Sequence, residues 1–374
     1  MKQQRSAARS NESCRILLIA GQLGGGGLEQ QLCYLLQAMD RKVCRPGLVV
    51  WNYDESEVNV RKVQDLGVPI WGYPASATSY WKMMELARLA RRLNPEIIHS
   101  YGFFTNFAAY FAARASRAIP LGSVRGEIDL SLSESRPILG RLSAAFPPNQ
   151  ISNSHAAARL AIKPRSWFKP RTMTVVPNAL DLAKFQDEAL PGERPMHLLG
   201  IGSLIPLKRW DRLLQLGREL RQRNLPCVIE IAGDGPLRHE LESQANQMGI
   251  ANVVHMLGYR RDIPELIARA RAVIHTADNE GSPNAVMEAM ASGRPVIATD
   301  VGDVGRLIEN GKTGFVVPRD DAEMLLRRVV EVITDDALAA RLAAAARSYA
   351  QCEFQLPRLA ERTLEAYRSA GWKS

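Results

Sequence analysis

The sequence predicts an α/β protein made of two doubly wound, Rossmann-like domains. Three observations predict it. Short apolar runs alternate with helical patterns along the chain, which is the mark of parallel sheets covered on both faces. The alternation lapses between Leu180 and Arg194 and restarts at Met196. The chain has 374 residues, 46% of them hydrophobic, which is enough for two cores and too much for one. The expected domains are 14–190 and 191–352, followed by a last helical segment, 353–374. Residues 1–13 are polar and basic without an apolar core. They read as a disordered tail, neither a signal peptide nor a membrane anchor.

In the first half, Arg15–Gly21 reads as a buried strand. Gly24–Gly27 and a helix over Leu28–Met39 follow it, so Gly26 sits in a strand–turn–helix layout that can cradle phosphate. Its spacing is not that of the dinucleotide fingerprint. Pro46–Trp51 is strand-like, Glu57–Leu66 helical, and Val68–Trp71 a short strand. Ser79–Leu93 is an amphipathic helix stopped by Asn94 and Pro95. Glu96–Ser100 is a strand ending at His99, Ser100 and Tyr101. Ligands bind at such strand ends, so His99 and Tyr101 are cleft candidates; a hydrogen-bonded core histidine and a packing tyrosine are the alternative. Thr105–Ala115 is a helix of small residues, and Leu121–Arg125 a strand with Glu127 and Asp129 after it. Gln150–Asn153, Ser154–Ile162 and Met173–Val176 read as strand, helix and strand, and Pro177-Asn178 turns the chain.

The second half repeats the alternation. Its strands are Met196–Ile201, Cys227–Ala232, Val253–Met256, Ala272–His275, Pro295–Thr299 and Gly314–Val317. Helices are expected over Arg209–Arg223, Ile263–Ala270 and Gly302–Asn310, and long ones from Asp320 to Tyr367. Three strand ends carry chemistry: Gly202, Ser203 and Lys208 after the first; Gly233, Asp234 and Gly235 after the second; Glu280 to Asn284 after the fourth. Gly258-Tyr259 ends the third and is placed to border a nucleobase.

The stretch Asp278–Pro295 organises the rest. Ser282 is a good N-cap, Pro283 suits a first helical position, and Gly293 and Pro295 stop the helix. A helix start with free N–H groups attracts a phosphate. Glu280 and Glu288 flank it, and carboxylates accept hydrogen bonds from the paired hydroxyls of a ribose or a hexose. A diphosphate between two sugars has that composite shape. Lys208 is a cation for the diphosphate.

Charge and cysteine content narrow the classes. Residues 1–190 hold 24 Lys+Arg against 15 Asp+Glu, and the remainder 24 against 24, so the whole excess of +9 lies in the first half. That suggests an anionic partner, a membrane surface or nucleic acid, unless it only solubilises. A nucleic-acid binder is suggested by charge alone; no recognition motif accompanies it, and no nucleic acid is expected. The five cysteines show no paired spacing, which argues for reduced thiols in a cytosolic compartment and against a zinc site. No apolar run approaches the ~20 residues of a membrane span.

The motifs taken together resemble the retaining GT-B glycosyltransferases of family four. Those that carry the resemblance are G-S-L-I-P-L-K-R at Gly202–Arg209, A-G-D-G-P-L at Ala232–Leu237, L-G-Y at Leu257–Tyr259, E-G-S-P-N-A-V-M-E-A-M-A at Glu280–Ala291, G-R-P-V-I-A-T-D at Gly293–Asp300 and G-K-T-G-F-V-V-P at Gly311–Pro318. V-P-N-A-L-D at Val176–Asp181 and G-G-L-E at Gly26–Glu29 match more loosely.

The resemblance implies the GT-B architecture, two Rossmann-like domains facing a cleft, with the last helix crossing back to the first domain. It implies a metal-independent hexosyltransferase that takes a UDP- or GDP-linked sugar as substrate and needs no cofactor. The acceptor would be a glycan or a lipid-linked one, in surface polysaccharide or exopolysaccharide synthesis. Glu280, Lys208 and His99 take the catalytic roles. Glu288, Gly281, Ser282, Pro283, Asn284, Ser203, Arg209, Gly235, Tyr259 and Gly26 take donor-binding roles, and there is no metal ligand. Ser203 stands where the family usually has Arg, Tyr101 where it often has a second His, and Ala179 where Gly is common. Arg209 is the substitute for the missing Arg, although a neighbouring position points elsewhere. A nucleotide-sugar-binding protein with little transferase activity is the alternative reading.

Two basic stretches with aromatics, Ser79–Arg92 with Trp81 and Arg159–Arg171 with Trp167 and Phe168, suit an anionic bilayer. The expected location is therefore cytoplasmic, peripheral on the inner face of the membrane.

Overall fold

The computed structural model describes residues 14–125, 137–162, 169–185 and 188–373. The expected tail 1–13, Glu127, Asp129, Trp167 and Phe168 lie outside the described residues. The chain forms two compact units. One comprises the residues up to Asn153, Ala157–Pro177 and those from Leu359 on; the other comprises Ser154–Ala156 and Asn178–Arg358.

The first unit is a seven-stranded sheet, β1 Ile16–Ala20, β2 Pro46–Tyr53, β3 Ile70–Pro74, β4 Ile97–Ser100, β5 Ile119–Val124, β6 Asn149–Ser152 and β7 Thr172–Val175, in the order β3-β2-β1-β4-β5-β6-β7. All pairings are parallel. Every residue of β1 is buried, as a central strand covered on both faces requires. The helices are α1 Gly27–Ala38, α2 Arg41–Cys44, α3 Val58–Asp65, α4 Ser79–Leu93, α5 Asn106–Ser116, α6 Pro137–Ala145 and α7 His155–Ile162. Thr78 caps α4 through its hydroxyl, and Asn94, left-handed at φ 46°, ends it where Pro95 forbids continuation. Leu17, Ile19, Val49, Leu86, Ala90, Ile98 and Ala109 pack between the sheet and the helices α4 and α5. Each such large aliphatic side chain contributes roughly 2 kcal/mol by leaving water.

The final helix, Leu356–Ser369, packs with this unit from Leu359 on. The Tyr367 hydroxyl lies 2.8 Å from His99 Nδ1, and Trp372 Nε1 donates to Glu96 at 2.7 Å.

The second unit is a six-stranded parallel sheet, β8 Met196–Ile201, β9 Cys227–Ala232, β10 Val254–Gly258, β11 Ala272–His275, β12 Val296–Thr299 and β13 Phe315–Val317, in the order β10-β9-β8-β11-β12-β13. Its helices are α8 Trp210–Gln222, α9 Arg238–Gln247, α10 Ile263–Arg269, α11 Asn284–Ala291, α12 Val304–Leu307, α13 Ala322–Thr334 and α14 Asp336–Glu353. The chain leaves β8 toward β9 and β10, then returns to β11 on the other side. The switch point between β8 and β11 is where such sheets take ligands.

The boundary falls at Pro177, not near 190. The segment expected as a linker is fastened to the second unit. Leu180 N–H donates to the Phe354 carbonyl at 2.7 Å. Arg294, 1% exposed, donates to the carbonyls of Glu188 at 2.9 Å and Ala189 at 3.3 Å.

Candidate donor site in the second unit

The site grows from the loops after β8 and β11. After β8 the chain makes a 3-10 turn, Pro206–Lys208, and enters α8 through Arg209, left-handed at φ 53°. After β11, Asp278 N–H donates to the Leu207 carbonyl at 2.9 Å, and the Thr276 hydroxyl donates to the Lys208 carbonyl at 3.1 Å. These bonds clamp the two loops together, so Lys208 and Glu280 meet although 72 residues separate them.

The Lys208 ammonium donates to Oε1 of Glu280, and His275 Nε2 lies 3.1 Å from the same oxygen. Burial alone raises the Glu280 pKa. The His275 hydrogen bond and the Lys208 charge outweigh it and bring the carboxyl down to about 2. Glu280 is therefore a fixed anion. His275 is 4% exposed, and its Nδ1 is buried without a hydrogen-bond partner.

The loop then turns into α11. The first helical residue is Asn284, and Pro283 is the N-cap, at φ −72° and ψ 112°. This corrects the expectation that Ser282 caps the helix: its hydroxyl is directed at Met287 Sδ, 3.7 Å away. Among the described residues no side chain caps α11, so the N–H groups of Ala285 and Val286 have no acceptor within the helix. The turn is held from outside. Asn178 Nδ2 donates to Asn284 Oδ1 at 2.9 Å and to the Ser282 carbonyl at 3.3 Å, and Asp303 N–H donates to the Gly281 carbonyl at 3.1 Å. Gly302, at φ 55°, completes the support, since a Cβ there would stand 1.8 Å from the Glu280 carbonyl oxygen.

Glu288 lies one turn into α11. Burial pushes its carboxyl up to about 7, and no described residue donates to that carboxyl. The two glutamates of the motif thus occupy opposite environments, one doubly bonded and one unpaired.

The glycines of the other loops serve close packing. A Cβ on Gly233 would lie 1.9 Å from the Gly202 carbonyl oxygen, and one on Gly235 2.7 Å from that of Leu204. Gly233 N–H donates to the Gly258 carbonyl at 2.8 Å, so the ends of β8, β9 and β10 are laced side by side. Tyr259 follows, 58% exposed. Ser203, after β8, is exposed.

Two expected site residues are committed elsewhere. The Arg209 guanidinium bonds Asp211 and Asp278, and those two partners raise its pKa. His99, in the first unit, has no exposed surface. Its Nδ1 meets Tyr367 and its Nε2 meets Ser123 at 3.0 Å, and burial, then the Arg125 charge, push its pKa down to about 3. With both nitrogens occupied it stands as a neutral, buried histidine. Tyr101 is equally buried, with the Arg125 guanidinium 3.7 Å from its ring centroid. Gly26 precedes α1 in the first unit, its Cβ position filled by Glu29. His275, Asn178 and Gly302 are residues that motif reading missed. Among the described residues no cluster of three His, Cys, Asp or Glu side chains stands ready for a metal ion.

Two doubly wound parallel-sheet units, one with an uncapped helix start between two glutamates, define the GT-B glycosyltransferase class. The family model of glycosyltransferase family 4 matches residues 25–184, and that of the glycosyl transferases group 1 matches residues 183–349. The chain belongs to this GT-B glycosyltransferase family.

Its relatives include the UDP-Gal:alpha-D-GlcNAc-diphosphoundecaprenol alpha-1,3-galactosyltransferase of Escherichia coli, 26% identical over 46% of this chain and 48% of that one. The lipopolysaccharide core biosynthesis glycosyltransferase LpsE of Rhizobium meliloti is 23% identical over 85% of this chain and 88% of that one. The matched stretch spans about half the length of the first curated relatives. Among solved structures, HepE of Anabaena in complex with UDP superposes with a TM-score of 0.81 at 19% identity, over 95% of this chain and 100% of that one.

Proposed function

We propose that the protein moves a hexose from a UDP- or GDP-linked sugar to a glycan or lipid-linked acceptor in surface polysaccharide synthesis, retaining the anomeric configuration. The observation that carries this reading is the unpaired Glu288 carboxyl one turn inside the uncapped start of α11, with the Lys208–Glu280 pair on the loop before it. The relatives named above add support: one bears a UDP-galactose donor and a lipid diphosphate acceptor in its name, and HepE was solved with UDP.

In this reading the ribose hydroxyls donate to Glu288. The diphosphate lies on the N–H groups of the first turn of α11, and Lys208 adds its charge as the leaving group forms. Glu280, held by its Oε1, accepts from the donor sugar through Oε2. Gly281, Ser282, Pro283 and Asn284 shape the turn, and Tyr259 borders the base. The residues of this site stabilise and orient a departing nucleoside diphosphate, with no nucleophile assigned. One such preorganised contact is typically worth ~3–4 kcal/mol in the transition state, so Ser203 in place of a cation predicts slow turnover.

A thermal-shift panel of UDP and GDP tests it. One of them should raise Tm in the native protein and not in Glu288→Ala, and the matching nucleotide sugar should then be turned over. Indifference to both nucleotides sinks the proposal. Binding without turnover leaves the silent binder instead. The anomeric configuration of the product, read by NMR, decides the stereochemistry.

A further inference from the structure

We propose that the outer face of α4 and α5 docks the protein on an anionic bilayer surface. The inference stands apart from the donor site. The two helices pack side by side. Both connect parallel strands, so they run in the same direction and share their aromatic ends. At that end Tyr80 is 75% exposed, Trp81 43% and Phe104 61%. Phe107 and Phe111 follow Phe104 at spacings of three and four, which extends one apolar stripe along α5. Most of the large exposed hydrophobic side chains belong to the first unit, and the second contributes Leu207 and Tyr259.

The other ends of the helices are basic. Arg91 and Arg92 close α4, and Arg114 and Arg117 close α5. These four make no ion pair with a described residue, and the acid on this face, Glu85, is spent on Arg88. Arginines at helix C-termini also suit the helix dipole, which accounts for their position. It does not account for the aromatic rings left in water at the opposite ends of the same helices. Exposed Trp, Tyr and Phe and exposed arginines without an acidic partner, carried by the same two helices, match a bilayer interface, where rings enter the headgroup layer and guanidiniums meet anionic lipid. A second copy of the chain fits less well, because an isologous contact would bring this uncompensated charge against itself. Among the described residues no helix is long and apolar enough to cross a membrane, so the contact is a surface one.

Co-sedimentation of the full chain with vesicles tests the proposal. One set is phosphatidylcholine alone, the other equal parts phosphatidylcholine and phosphatidylglycerol. Binding should be confined to the anionic set. Arg91→Ala with Arg92→Ala should weaken it about fivefold per arginine, and Trp81→Ala with Phe104→Ala should weaken it further than that pair. All four side chains are exposed, and an unchanged melting temperature with an unchanged nucleotide response certifies the fold of each variant. Three results overturn the proposal: no binding to the anionic vesicles, binding by both variants as strong as that of the native chain, or self-association in solution that Trp81→Ala removes, which would make a second copy the occupant. Loss of vesicle binding with the nucleotide response intact leaves the donor reading untouched.

Discussion

Glu280 and Glu288 stand eight positions apart and differ in ionisation by what touches them. Glu280 receives two donors and stays charged down to about pH 2, whereas Glu288 receives none and titrates near 7. The raised value means that the native state holds a proton the unfolded chain has released. Stability from this group is therefore fully present below the ordinary carboxylate range and is lost as pH climbs to about 7. Glu288→Gln should then be more stable than the native protein at pH 8, on the order of 1–3 kcal/mol, with the difference shrinking toward pH 5. Melting curves at the two pH values check it, and the same substitution should abolish nucleotide binding. His275 gives a second expectation. A hydrogen bond to a charged group is worth ~1.5–3 kcal/mol. His275→Leu, which cannot hold Glu280, should thus lower kcat roughly 10- to 100-fold while the Kd for free nucleotide stays put. His275→Gln can still donate to Oε1 and should recover most of the loss. Equal losses in both variants would make His275 a packing residue only. Glu280, Glu288 and Lys208 were readable from local motifs. His275 was not, because its role arises when the end of β11 folds back onto the loop five residues later.

At the scale of elements, most of both sheets was legible because the strands are short, mainly apolar runs, continuous in β1, set between polar helix faces. β8, β9 and β11 match their sequence bounds, as does α4 between Thr78 and Asn94. β3 begins two residues later than expected; it is an edge strand with one partner, so its apolar run does not define it. The four-residue α2 left too little periodicity to detect, and α6 was likewise not anticipated. The boundary at Pro177 was hidden because what fastens the following segment is a set of carbonyls bound by a distant buried arginine. The loop ends depend on glycines, and the cost can be separated into conformation and contact. Gly302 and Gly311 both have positive φ, but a Cβ on Gly311 meets nothing within 4 Å. Gly311→Ala should cost about 1 kcal/mol, the backbone penalty alone. Gly302→Ala adds a collision with the Glu280 carbonyl and should cost at least ~1–3 kcal/mol more, weakening nucleotide binding as the loop is displaced. Equal melting temperatures for the two variants would show that the Glu280 loop yields freely and does not depend on Gly302.

For the molecule as a whole, the excess charge and the site lie in different halves of the chain. The excess of +9 lies in residues 1–190, and the remainder, which holds Lys208, Glu280 and Glu288, is balanced. The two proposed contacts should therefore answer differently to salt. Vesicle binding through the α4–α5 arginines is a contact between exposed charges, screened as the Debye length falls from about 10 Å at 0.1 M to about 3 Å at 1 M. Nucleotide binding as proposed rests on fixed N–H groups and a carboxylate within the second unit, which salt weakens far less. Nucleotide at about 100 times its Kd should stabilise the native state by ~2.7 kcal/mol. Across a salt series, vesicle sedimentation should collapse while the nucleotide-induced rise in Tm persists. If both decay in parallel, the nucleotide is held by screened surface charge, and the uncapped start of α11 is not its seat. If neither decays, the bilayer contact is apolar and the arginines of α4 and α5 only complement their helix dipoles.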